Sequence, residues 1–91
     1  MGSHILRLRD GATSWSVVDS ETVVLDLDAQ SYVGLNPVGT LAWSMLATGT
    51  TQEQLVGEVC NQFSVDREQA EQDLDAFLAE CRRRGYLEES A

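Results

Sequence analysis

The apolar positions change their spacing near Asn36. Before it they alternate. Over Thr22–Asp28, Val23, Leu25 and Leu27 fall on one side, and Thr22, Val24, Asp26 and Asp28 on the other. Period two is the mark of a strand. Trp15, Val17 and Val18 form an earlier β-prone stretch, closed by a turn at Asp19-Ser20-Glu21. Ile5, Leu6 and Leu8 form a short first strand ahead of Asp10-Gly11. Tyr32–Leu35 follows the turn Asp28-Ala29-Gln30-Ser31. Connections this short force antiparallel pairing, because parallel strands need a long crossover.

After Asn36 the spacing is helical. Asn36 as cap and Pro37 at the first position open a helix carrying Val38, Leu41, Ala42, Met45 and Leu46, with Gly49 as its stop. Thr50-Thr51-Gln52-Glu53 reads as a capping box, with Thr50 as the cap. It opens a second helix with Leu55, Val56, Val59, Cys60 and Phe63 on its apolar stripe. Asp66 and Gln69 have cap spacing for a third helix bearing Ala70, Leu74, Phe77, Leu78 and Cys81. It ends in Arg82-Arg83-Arg84-Gly85. Cations in the last turn and Gly after it suit a helix C-terminus. The pattern predicts an α+β domain. It has an antiparallel meander of three strands, with Ile5–Leu8 available as a fourth, followed by three α-helices. Residues 5–88 form the domain, Met1–His4 read as an expression remnant and 89–91 as a C-terminal tail.

Composition narrows the functions. The 91 residues include 15 acidic and 6 basic ones, for a net charge of -9. All six cations are arginine. Nucleic acid is a poor partner for such a chain, because phosphate binding needs concentrated Lys or Arg. No apolar run approaches the ~20 residues that span a bilayer, so no membrane is expected. Two cysteines in a small domain fit a reducing, cytoplasmic setting.

Candidate catalytic chemistry is sparse. His4 is the one histidine and falls in the expected remnant. That leaves no His for acid–base work or for a zinc site. Cys60 and Cys81 sit on apolar helix faces and read as core thiols, which burial would deactivate. Asp26 and Asp28 read as a solvated strand face, and the carboxylates of the third helix as a solvated helix face. The glycines form no phosphate loop. No catalytic residue, metal or cofactor is expected. Arg82, Arg83 and Arg84 have two readings: complement to a helix terminus, or a docking patch for an acidic partner.

The strongest positional signal is Tyr32-Val33-Gly34-Leu35. It is uncharged, and it lies at the edge of a meander read in chain order. Natural edges are defended by charge, Pro, bulges or brevity. An undefended one accepts an extended peptide as an added strand.

Thr22–Asp28, followed by Ser31-Tyr32-Val33-Gly34-Leu35-Asn36-Pro37-Val38-Gly39-Thr40-Leu41-Ala42-Trp43, resembles the PqqD-like family. Within it, the passage is similar to the stand-alone B1 proteins of bacterial lasso-peptide biosynthesis. The resemblance runs over roughly Ile5–Glu88. It implies a winged-helix-like fold and a non-catalytic recognition element for ribosomally made, modified peptides. It implies that the leader of a precursor peptide lies as an antiparallel strand on the third strand, beside the third helix. It also implies delivery to a separate leader peptidase, a B2-type cysteine-protease-like protein. Carried over position by position, Tyr32, Val33, Gly34 and Leu35 form the pairing strand. Asp73, Leu74, Phe77, Leu78 and Cys81 span the helix beside the leader. Two alternatives stay open: a peptide chaperone of a quinone-cofactor pathway, and a non-catalytic protein–protein adaptor.

Overall fold

The computed structural model describes His4–Ser90. Residues 1–3 of the expected remnant lie outside the described residues. The order is β1 (Ile5–Leu8), β2 (Thr13–Val18), β3 (Glu21–Asp26), β4 (Ser31–Leu35), α1 (Pro37–Thr48), α2 (Gln52–Phe63), α3 (Arg67–Arg83) and β5 (Leu87–Ser90). The fold is α+β: an antiparallel sheet in the order β2-β3-β4, three helices, and a separate pair β1-β5.

The fourth-strand option for Ile5–Leu8 is thereby corrected. β1 does not join the meander but pairs antiparallel with β5, Ile5 opposite Ser90 and Leu8 opposite Leu87. Its other side is taken at Leu6, whose N–H and C=O exchange bonds with Thr50 at 2.7 and 2.9 Å. Leu6 itself is buried in the core. Glu89 and Ser90, read from sequence as tail, lie in β5.

The β2–β3 hairpin closes through Asp19 and Ser20, both with positive φ (51° and 67°). That is the backbone of the two-residue turns whose twist matches paired strands. The face of β3 that is buried is the Thr22, Val24, Asp26 one. The expectation of a solvated Asp26 is therefore wrong. Its carboxylate accepts from the backbone N–H of Asp28 (3.0 Å) and Ala29 (2.9 Å), and from Tyr86 Oη (2.7 Å). Three donors replace the water that burial removes.

The helices start largely as their caps dictate. Asn36 Oδ1 accepts from Gly39 N (2.8 Å), and Asp66 Oδ1 from Gln69 N (2.8 Å). The α2 box is displaced by one residue: Thr51 is the cap and Gln54 reaches back to it. Thr50 is withdrawn from that role by its bridge to Leu6, and it is buried. Gly49 ends α1 at φ 94°, and a Cβ there would meet Arg7 Nη2 at 2.9 Å. The core gathers Trp43 and Leu46 of α1, Leu55 and Val59 of α2, Leu74 and Leu78 of α3, and Leu6, Val24 and Tyr86.

Candidate functional site

β4 is an edge of the three-stranded sheet. The direction of its free backbone groups follows from the hairpin. Gln30 N donates to Asp26 O at 2.7 Å, so the Asp26 carbonyl points towards β4. In an antiparallel strand the N–H and C=O of one residue face the same neighbour, and successive residues alternate. Asp26, Val24 and Thr22 therefore address β4, and their partners Ser31, Val33 and Leu35 address β3. On the opposite side, Leu27 N donates to Ala12 O. Tyr32 and Gly34 are left with N–H and C=O turned outward. This edge carries no charge, no Pro and no bulge.

The side chains follow the same parity. Tyr32 (74% exposed) and Gly34 lie on the outer face, while Val33 and Leu35 are half-buried on the inner one. Beside them runs α3. A cavity of about 160 Å³ lies between the two, lined by Val33, Leu35, Val24, Trp43, Phe77, Glu80, Cys81, Arg84 and Tyr86. A second hollow of about 230 Å³ continues the cleft past the end of β4, between Asn36, Val38 and Gly39 on one wall and Asp73, Ala76 and Phe77 on the other. Phe77 lines both. A strand laid on β4 would point alternate side chains into this cleft.

The sequence-chosen residues divide. Tyr32–Leu35 supply the edge and, through Val33 and Leu35, one wall. Phe77 and Cys81 supply the facing wall, and Asp73 flanks the second hollow. Leu74 and Leu78 are fully buried in the core and line neither cavity. Val24, Trp43, Glu80 and Tyr86, which the sequence does not assign to the groove, complete its wall together with Arg84. Trp43 lies on α1 and Tyr86 follows the end of α3, both outside the strand and helix that the resemblance assigns to the leader. Trp43 packs edge-on against Tyr86 (5.9 Å between centroids) and Trp15 (6.4 Å).

The polar end of the cavity is a charge network. Glu80 pairs with Arg84 (Nε–Oε1 2.8 Å) and with Arg83. Arg83 and then Arg84 hold the Glu80 carboxyl down to about 2. Arg82 instead pairs with Glu89 of β5 (3.0 Å). Arg82, Arg83 and Arg84 are thus each paired within the chain, and Arg84 alone of the three lines the cavity. The Ala29 N–H, then the Tyr86 hydroxyl, lower the Asp26 pKa below the usual carboxylate range. Burial pushes the Cys81 thiol up to about 11, so at neutral pH it is an uncharged apolar surface and not a nucleophile. Among the described residues, no group of three or more His, Cys, Asp and Glu side chains could hold a metal, and no helix is long and apolar enough to cross a membrane.

β2, the other edge, turns Thr13, Trp15 and Val17 outward by the same parity. It borders a hollow of about 400 Å³ lined by Trp15, Val17, Pro37, Leu41 and Phe63, among others.

Known proteins share this family and fold. The family described as "Coenzyme PQQ synthesis protein D (PqqD)" matches residues 21–87. Among solved structures, "TbiB1 in Complex with the TbiA(beta) Leader Peptide" is 36% identical, with a TM-score of 0.81, over 93% of this chain and 98% of that one. "Lasso peptide synthetase B1 complexed with the leader peptide" is 25% identical, with a TM-score of 0.77, over 91% and 96%. No curated protein matches.

Proposed function

The chain belongs to the PqqD family, and from that premise we propose that it binds the leader of a lasso-type precursor peptide as a strand added to β4. The observation that carries this reading is the coincidence of an open, uncharged edge with an apolar cleft on its inner face. Backbone bonds to Tyr32 and Gly34 supply affinity with little sequence demand. The two hollows along α3 supply selectivity. The relatives solved with leader peptides support the same ligand class. We read the chain as a binder that performs no chemistry and hands the bound precursor to a separate leader peptidase in the cytoplasm.

The quinone-cofactor route is the second reading, favoured by the description of the family. The lasso reading stands ahead of it because the B1 likeness extends over 93% of the chain at 36% identity. The test is titration of the protein with fluorescent TbiA(beta) leader peptide and with a scrambled version. Saturable binding of the first alone supports the proposal. Equal binding of both, or none, overturns it.

A further inference from the structure

The second edge of the sheet has its own hollow. Thr13, Trp15 and Val17 of β2 turn their N–H and C=O groups outward. β2 carries no charge, no Pro and no bulge. Cross-strand partners share a face, and Trp15 and Val17 stand opposite Val24 and Thr22 of the buried face of β3. Yet α1 packs on β3 and β4 and leaves Trp15 40% and Val17 56% exposed. The hollow of about 400 Å³ lies between these two side chains, Thr40 and Leu41 of α1, and Gln62 and Phe63 at the end of α2. All of its lining residues are uncharged. A strand added to β2 would send alternate side chains into it.

Charge decides which strand fits. Between Arg9 and Arg67 the chain has eight carboxylates and no Lys, Arg or His. Asp19 adjoins Ser20 of the hollow, and Glu58 accepts from the Gln62 amide at 2.9 Å. Among the described residues neither carboxylate forms an ion pair. The two cations that bound this stretch lie elsewhere: Arg9 lines the hollow beside β5, and Arg67 pairs with Glu71 (3.3 Å). A second copy would bring like charge to this rim, because each chain carries -9. We propose that the β2 edge docks an extended segment of a partner protein, with apolar side chains in the hollow and Lys or Arg on either flank. Docking there leaves β4, the opposite edge, free.

The test titrates the protein with the peptide Lys-Thr-Leu-Thr-Leu-Thr-Lys, whose lysines and leucines share one face of a strand, and follows each backbone amide by NMR. Saturable shifts at Thr13, Trp15 and Val17 are expected, with Tyr32 and Gly34 unmoved. The same peptide with Glu at both ends should bind about fivefold more weakly at low salt, a size expected of two partly exposed charge contacts. The gap should narrow in 0.5 M salt, a concentration that screens exposed charges. Asp19→Asn with Glu58→Gln should bring the two peptides level. Val17→Pro removes an outward N–H, which an edge strand tolerates, and should abolish the shifts while the circular dichroism spectrum is kept. Shifts at Tyr32 and Gly34 instead, equal binding of the two peptides at low salt, or no shift with either overturn the proposal. So does a dimer in sedimentation whose β2 amides are protected without peptide, because it gives the edge to a second copy. Leader binding is titrated separately with TbiA(beta) leader peptide, so failure here leaves it standing.

Discussion

Asp26 shows what a single residue contributes and why the sequence misplaces it. Period two identifies two faces of a strand, but not which one meets the core. Val23, Leu25 and Leu27 make the more apolar face, yet Thr22, Val24 and Asp26 are the buried set. The deciding partner, Tyr86, is 60 positions away. Tyr86→Phe removes one donor from a buried carboxylate, and we expect a loss of about 1–2 kcal/mol in urea unfolding. The pH dependence follows from the direction of the shift. The folded-state pKa of Asp26 lies below its ordinary value of 3.8. Its stabilisation is therefore fully present above the unfolded value and is lost as pH falls through about 4 towards the folded one. Glu80 and Glu89, also held low by arginines, titrate in the same window. Unfolding midpoints between pH 7 and 2.5 should fall, with a shallower fall in Asp26→Asn. An unchanged slope in that variant would show that Asp26 is not held low.

At the scale of elements, the helices and the hairpin strands are legible because their signals are local. Asn36, Asp66 and the helical stripes are read from neighbours in the chain. The β1-β5 pair is not local. Its strands have four residues each and meet across almost the whole chain. The same long-range contact explains the displaced α2 cap, because pairing with Leu6 removes Thr50 from the helix start. The β4 edge was legible as an edge, but the direction of each N–H was not. That direction sharpens the test of strand addition. Val33 faces β3, so Val33→Pro breaks the hairpin ladder and destabilises the fold. Gly34 faces outward, has no neighbour within 4 Å of an added Cβ and has no positive φ. Gly34→Pro should keep the thermal midpoint within a few degrees and weaken leader binding at least tenfold. Calorimetric titration checks the second point and circular dichroism the first. Retained affinity in folded Gly34→Pro would contradict strand addition at this edge.

For the whole molecule, the net charge of -9 and the uncharged edge are separate features. The first disfavours nucleic acid, and the second makes peptide capture a matter of backbone bonds and apolar contact. The tryptophans report on that capture. Trp43 lines the β4 cleft, and Trp15 touches it edge-on from the β2 side. Leader binding should therefore shift intrinsic emission, and most of the shift should survive Trp15→Phe. Loss of the whole signal in that variant would point to the β2 hollow instead.

The sheet has two free edges, and the account assigns the peptide to one of them. Amide hydrogen exchange resolved by residue separates them most directly. On saturation with TbiA(beta) leader peptide, the Tyr32 and Gly34 amides should slow at least tenfold, while Thr13, Trp15 and Val17 exchange as before. Protection of the β2 amides with Tyr32 and Gly34 unchanged would contradict the account.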